Sequence, residues 1–337
     1  MDSLTHIVLG TATGGAVLGR KAGNKALFWG ALAGSIPDFD VAITSFYEPV
    51  ESLFVHRGFS QSIVFALIVA PLLGWIISKI HRDVSFRHWS LMAFLAILVH
   101  ITIDCFNTYG TALLEPFSGM RLAFDSIGII DFVLLIPILI LMIIAIFQPK
   151  FTNNRKVLSI VVLVYTLLFV SFSVVNKVII ESNIKKQIVS QQIDYKNVKT
   201  APLPLTNFLW LILAEDSNGY HFGYYSNFDK DTVSLKYIPR NEQLLAELSE
   251  NHKVKGLIRF TDGFYTVNKK TEGSLWLYDL RFGSMAFESE DDWYVFSFQI
   301  DQIDKDIIVS RAHPNRSFGS KTFGLYWKRV FRDLKYQ

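Results

Sequence analysis

A single cysteine, Cys105, occurs in 337 residues. It forbids an intrachain disulfide and excludes a zinc site built from several thiolates. Beside Asp104 it reads as a small packed residue, although a ligand role stays open. Charge is also scarce: 19% of residues are Asp, Glu, Lys or Arg, against about 25% in soluble domains. The net charge is only +3, so no electrostatic footprint for nucleic acid is present and none is expected as a partner. The opening Met1-Asp2-Ser3-Leu4-Thr5-His6 has no positive n-region, and the glycine-rich stretch behind it leads to Arg20 and Lys21. A cleavable signal peptide is therefore not expected. Neither an internal repeat nor a low-complexity tract is evident.

Apolar residues are abundant, at 50% of the chain. Five runs, roughly 26–46, 62–80, 89–106, 127–147 and 157–176, have about the 20 residues that cross a hydrocarbon core. A weaker, glycine-rich run at roughly 7–19 reads as a short or half-inserted helix. Basic residues flank every second turn: Arg20, Lys21 and Lys25, then Lys79, Arg82 and Arg87, then Lys150, Arg155 and Lys156. By the positive-inside rule these turns are cytoplasmic and the alternate loops face outwards. Arg57 and Arg121 fall on the outer side, so the bias is not absolute.

After Asn176 the chain turns polar and aromatic. Runs at 208–213, 220–225, 274–278 and 293–298 read as strands, and 242–252 and 323–334 as helices. The expected fold is an α-helical multi-pass membrane bundle over 1–176, followed by a mixed, β-rich (α+β) extracytoplasmic domain over 177–337. The second part is long enough to bury its own core.

The ionisable residues inside the apolar runs point to chemistry, because a carboxylate or histidine in a bilayer is costly and is usually retained for function. His100 and Asp104 are four residues apart and share one helix face. Such a pair can hold a divalent ion, or brace the bundle through a hydrogen bond. Asp38 and Asp40 follow Pro37, which disfavours regular helix before it. Interrupted backbone at membrane depth is tolerated where it lines a cavity; a kink whose acids cap the next turn is the plainer reading. His6 and His56 carry little weight alone, but topology puts them on the outer side with His100 and Asp104, and Asp38 and Asp40 lie in the outward half of their span. Asp131 reads either as a support behind the ligands or as an acid at the start of a helix. His, Asp and water suit zinc or a similar divalent ion. Such an ion activates water and polarises a phosphoryl or carbonyl oxygen, and a spare Asp38 or Asp40 can serve as general base.

Four segments come in a familiar order: Met1 to His6, Gly34-Ser35-Ile36-Pro37-Asp38-Phe39-Asp40, His56-Arg57-Gly58-Phe59-Ser60-Gln61-Ser62, and His100 to Asp104. With Asn107 to Thr111, Pro116-Phe117 and Asp131, the chain over about 1–135 resembles the membrane-bound metal-dependent hydrolases of the YdjM type. Leu277 to Gly283 is similar to one subgroup of that family. The resemblance implies His6, Asp38, Asp40, His56, His100 and Asp104 as candidate metal ligands, with zinc first among the ions. The family pattern has a second histidine where this chain has Gln61. Glutamine is a poor zinc ligand, so Gln61, like Arg57, is assigned towards substrate or a water.

Three functions follow as expectations. The first is a membrane hydrolase with an outward-facing metal site, acting on an ester or phosphoester of a membrane lipid or a small molecule. The second is an ion- or proton-coupled transporter, which would need polar residues through the full membrane depth. The third is a non-catalytic membrane protein whose Asp/His set is a structural network. Asp279 and Arg281 in the tail read either as a substrate clamp or as an ion pair on a strand.

Overall fold

The computed structural model describes residues 1–149, 152–270, 273–284, 294–303, 306–312 and 320–331. Lys150, Trp293 and residues 332–334, assigned above to a loop, a strand and a helix, lie outside them. The chain divides into two compact units. One comprises Met1–Phe46, Phe54–Val174 and Pro204–Thr206, the other Tyr47–Leu53, Val175–Leu203 and Asn207–Gln337.

The helices in chain order are α1 (Ser3–Ala22), α2 (Asn24–Ser35), α3 (Val41–Thr44), α4 (Pro49–Val55), α5 (Ile63–Ile80), α6 (Phe86–Asp104), α7 (Phe132–Ile146) and α8 (Asn154–Ser190). Short 3-10 turns at Ile36–Asp40 and Phe59–Gln61 interrupt the series. Among the described residues, four helical segments are long and apolar enough to cross a membrane: Asn24–Thr44, Ile63–Ile80, Phe86–Asp104 and Asn154–Ser190. Their outward faces keep large apolar side chains exposed, such as Leu67, Ile68 and Leu72 on α5 and Leu167 and Leu168 on α8.

Three helices of the apolar series differ from the sequence expectation. The run at 7–19 is not a short helix but the middle of the 20-residue α1. Its low hydropathy reflects glycines that serve packing. Gly10 and Gly14 face Gly30 and Ala26 so closely that a Cβ at Gly30 would run into the Gly10 carbonyl oxygen and lie 2.8 Å from Gly14 Cα. Small residues four apart let helix backbones touch where burial alone gives no driving force. α7 has 15 residues, shorter than the run expected from 127, because Asp131 caps it: Asp131 Oδ1 accepts hydrogen bonds from the amides of Val133 (2.8 Å) and Leu134 (3.4 Å). The last expected span does not end at 176; α8 continues to Ser190.

At one end of the bundle Lys21 Nζ lies 3.2 Å from His88 Nε2, Lys25 pairs with Asp83 at 3.9 Å, and Asn24 Nδ2 donates to the Ile146 carbonyl. The α1–α2, α5–α6 and α7–α8 turns are thus at the same end, as the alternation of basic loops requires. The core between α5 and α6 is built of alanines around Trp89, Met92, Ile97 and Ile77.

The second unit contains two antiparallel four-stranded meanders. β1 (Asn197–Pro202), β2 (Leu209–Glu215), β3 (Gly219–Ser226) and β4 (Lys236–Pro239) form the first sheet. β5 (Tyr265–Lys269), β6 (Leu275–Ser284), β7 (Tyr294–Ile303) and β8 (Asp306–Ala312) form the second. The helix expected over 242–252 is a 3-10 turn, Glu242–Leu248, followed by α9 (His252–Phe260). Asn251 separates them by accepting a hydrogen bond from the Lys253 amide as N-cap. α10 (Ser320–Val330) is the last helix among the described residues. Asp279 and Arg281 form a buried bidentate ion pair, with Arg281 Nη2 2.7 Å from Asp279 Oδ2 and Nε 3.0 Å from Oδ1.

The extension of α8 has a packing reason. Ile180, Ile184 and Ile188 recur every four residues and bury against Trp210, Ile212 and Tyr225 of the first sheet. Ile184→Ala is therefore expected to cost ~2–4 kcal/mol, whereas Lys186→Ala on the exposed face stays within about 0.5 kcal/mol. Thermal unfolding of both variants in detergent checks this, and equal midpoints would refute the docking role of the stripe.

Candidate metal centre

The glycine contacts that join α1 to α2 also set up a site. His6, Gly10 and Gly14 follow one another at four-residue spacing on α1, and Gly30 and Gly34 do so on α2, with Asp38 four further on. A Cβ at Gly34 would lie 2.8 Å from Gly10 Cα and 3.0 Å from the His6 carbonyl oxygen. Close backbone approach thus brings His6 beside the turn that carries Asp38. Asp2 starts α1, accepting from the Thr5 amide at 2.9 Å and from its hydroxyl. α6 supplies His100 and Asp104 on one face.

The four side chains converge. One ligand atom from each of His6, Asp38, His100 and Asp104 lies within 4.8 Å of the others, a group able to hold a metal ion. His6 Nε2 is 3.2 Å from Asp104 Oδ1, His100 Nε2 is 3.5 Å from Asp104 Oδ2, and His100 Nε2 is 3.3 Å from Asp38 Oδ1. The two imidazoles stack with centroids 3.6 Å apart. His100 Nδ1 lies 2.6 Å from the Gly34 carbonyl oxygen. A carbonyl can only accept, so Nδ1 carries a proton and, in the neutral ring, Nε2 turns its lone pair to the cluster. Both ring nitrogens of His6 and Asp104 Oδ2 are buried without a hydrogen-bond partner. These atoms, 3.2–3.5 Å apart, attract electrostatically but are not aligned as hydrogen bonds. Orphaned polar atoms of this kind are rare in a finished core and call for a missing partner.

Gln61 sits against the cluster, fully buried. Its Nε2 is 3.0 Å from Asp38 Oδ1, to which it donates, and 3.1 Å from His100 Nε2. Its Oε1 accepts from Thr111 Oγ1 at 3.4 Å. Arg57 is buried on the other side, with Nε 3.5 Å from Asp104 Oδ2 and Nη1 donating to Asn107 Oδ1 at 2.8 Å. The guanidinium lies 5.1 Å from the Tyr109 ring centroid. Asp104 Oδ1 also accepts from the Met1 amino group and from Asn107 Nδ2.

Asp40 and His56 stand outside the group of four and form a pair of their own. His56 Nδ1 is 2.9 Å from Asp40 Oδ1, while Asp40 Oδ2 accepts from the Arg57 amide (2.9 Å) and from Ser60 Oγ (2.6 Å). Arg57 has φ of 59°, a left-handed conformation uncommon for a residue with a Cβ. Asp40 thus fastens the turn that carries Arg57 and Gln61 inwards. Asp131 is the cap of α7 and Cys105 donates to the Ile101 carbonyl; neither belongs to the cluster. Sequence reasoning missed the Gly34 carbonyl and Asn107 as partners. A glycine four residues before Asp38 and an asparagine three after Asp104 were the available signals.

The model of the YdjM inner membrane protein family matches residues 1–180, more than half of the chain. The chain belongs to the YdjM family. The matched region contains all four residues of this chain's cluster, together with Gln61 and Arg57. The chain is 34% identical over 138 residues to the uncharacterized protein YfhP of Bacillus subtilis (strain 168), covering 39% of this chain and 42% of that one. It is 30% identical over 120 residues to the inner membrane protein YbcI of Escherichia coli (strain K12), covering 35% of this chain and 69% of that one. The chain thus spans less than half the length of YfhP. No solved structure matches the chain.

Proposed function

We propose that this chain is a membrane hydrolase whose His6, Asp38, His100 and Asp104 cluster holds a divalent ion, zinc first among them, and that it cleaves an ester or phosphoester of a membrane lipid or a small molecule. The observation that carries this is the spacing of the donor atoms. Tetrahedral zinc with bonds of about 2.0–2.1 Å separates its ligands by about 3.3 Å. The cluster's close pairs are 3.2, 3.3 and 3.5 Å apart, long for charge-assisted hydrogen bonds at roughly 2.7–2.9 Å.

When bound, the ion would lower the pKa of a water and polarise the scissile oxygen. The protein's own groups prepare the rest. The Gly34 carbonyl fixes the His100 ring and tautomer, as partners behind metal-binding histidines do. Asp38 is the least buried of the four and is the carboxylate best placed to take a proton as general base. Gln61 orients Asp38 by donating to one of its oxygens. Asp40 acts indirectly, by holding the Arg57–Gln61 turn, and Arg57 offers a cation for a substrate's negative oxygen.

The meeting of the three basic turns at one end supports a cytoplasmic position for that end. On that reading the cluster opens towards the outer face and the domain after α8 is extracytoplasmic.

The test is metal content by inductively coupled plasma mass spectrometry on purified wild type and His100→Ala, with hydrolysis of p-nitrophenyl phosphate and of phospholipid measured before and after chelation. Wild type is expected to carry metal and lose activity on chelation, and His100→Ala to lose at least tenfold in metal affinity, at the level of a lost ligand partner. Equal, near-zero metal in both would refute the reading.

A further inference from the structure

The Gln61 carboxamide enters the cluster as a donor. His100 Nδ1 gives its proton to the Gly34 carbonyl, so in the neutral ring Nε2 offers a lone pair. Asp38 Oδ1 is likewise an acceptor. Gln61 meets both through one atom: Nε2 lies 3.1 Å from His100 Nε2 and 3.0 Å from Asp38 Oδ1. An amide nitrogen carries two hydrogens and can serve both. Turned over, the amide would set its oxygen against two acceptors, so chemistry fixes its orientation. Its oxygen accepts from the Thr111 hydroxyl at 3.4 Å.

The two acceptors are not equivalent. A carboxylate oxygen has a second lone pair, so Asp38 Oδ1 can accept from Gln61 and ligate an ion at once. An imidazole nitrogen has only one. His100 Nε2 therefore accepts from Gln61 or ligates an ion, never both. Its carboxylate neighbours, Asp38 Oδ1 at 3.3 Å and Asp104 Oδ2 at 3.5 Å, donate nothing to that lone pair. The amide is also held in place. Gln61 is fully buried and ends the 3-10 turn Phe59–Gln61. Its backbone N–H donates to the Gly58 carbonyl at 2.9 Å. On the other side Ser62 Oγ accepts from the Phe65 amide, and the Ile63 N–H donates to the Leu113 carbonyl at 3.0 Å. Bulk water cannot reach the amide to replace a lost acceptor.

We propose that Gln61 is an internal competitor for the ion, an inference that rests on the proposed metal centre and adds a control of its occupancy. The amide claims the lone pair of His100 Nε2. Ion binding takes that lone pair, while the bond to Asp38 persists. One amide hydrogen is then buried without an acceptor, which costs free energy and keeps the ion exchangeable. The penalty is expected to be about tenfold in affinity, or ~1.4 kcal/mol.

The test measures zinc and manganese affinities of the full chain in detergent, by competition with a chelating dye. Wild type is compared with Gln61→Leu and Gln61→Met. Both variants lack the donor, and the second keeps an unbranched side chain should leucine pack badly. Thioethers select soft ions, so the manganese arm tells loss of the donor from ligation by the new sulfur. Both variants are expected to bind both ions about tenfold more tightly than wild type. Equal or weaker binding by both variants, with metal on wild type, would overturn the competitor role and leave the metal centre standing. Tightening confined to zinc on Gln61→Met would also overturn it. Metal on none of the three proteins would overturn the metal centre and the competitor together.

Discussion

Gly30→Ala is expected to abolish the folded bundle, at a cost above about 4 kcal/mol, the range in which substitutions mark a specific structural failure. The added methyl would overlap the Gly10 carbonyl oxygen and crowd Gly14 Cα. Both are backbone atoms, so no rotamer change relieves the clash and α1 must move off α2. That movement also separates His6 from Asp38. Helix propensity works in the opposite direction, since Ala is better than Gly by roughly 0.5–1 kcal/mol. A matched control exploits this: Gly324, inside α10, has nothing within 4 Å of a built Cβ. Gly324→Ala is expected to be neutral or stabilising by about 0.5–1 kcal/mol. The check is the yield of monodisperse protein after extraction and its thermal midpoint in detergent. Two variants with the same outcome would refute the close-packing account of α1 and α2.

The same glycines explain why α1 was hard to read. Hydropathy measures lipid-facing residues, and α1 contributes little of that: Leu9, Ala12 and Leu18 are buried with the glycines. α5 and α6 were legible because long apolar runs need no partner to be recognised. The end of α8 is hidden from hydropathy for the opposite reason. Hydropathy falls after Asn176 while the four-residue periodicity of Ile180, Ile184 and Ile188 continues, and periodicity, not hydropathy, tracks the helix there.

At the site, the His100/Asp104 spacing gave the face of α6 directly. Asp38 and Asp40 could not be separated from sequence. They are two residues apart in a 3-10 turn, so their side chains point about 120° apart, and only the fold decides which one turns to His100. Likewise Gln61 marked a departure from a family pattern, but its amide contacts to Asp38 and His100 depend on how Asp40 fastens the turn. The sequence leaves Asp131 open as a support for the cluster or a helix-start acid, and its bonds to Val133 and Leu134 make it the cap.

Asp104→Ala is expected to cost about 3–5 kcal/mol, because it leaves a buried cation without its counter-charge. Asp104 is fully buried, with Arg57 Nε at 3.5 Å and the Met1 amino group against Oδ1. That cost alone does not tell a ligand from a brace, since a purely structural network would fail equally. A second substitution separates them. Arg57→Met in the Asp104→Ala background removes the stranded guanidinium and keeps an apolar side chain of similar length, while the Met1 amino group can shed its proton and stay buried as a neutral amine. Replacing a buried ion pair by apolar residues is often neutral or better, so the double variant is expected to recover most of the lost stability. The coupling between the two positions should then be at the high end of the roughly 0.5–3 kcal/mol seen for contacting residues. Metal content should not recover, because the cluster still lacks one of its four donors. Chemical denaturation in detergent and metal analysis of the same preparations supply the two readouts. If metal binding returned together with stability, Asp104 would be a brace, and the site would reduce to His6, Asp38 and His100. If Asp104→Ala cost under about 1 kcal/mol with metal retained, neither role would stand.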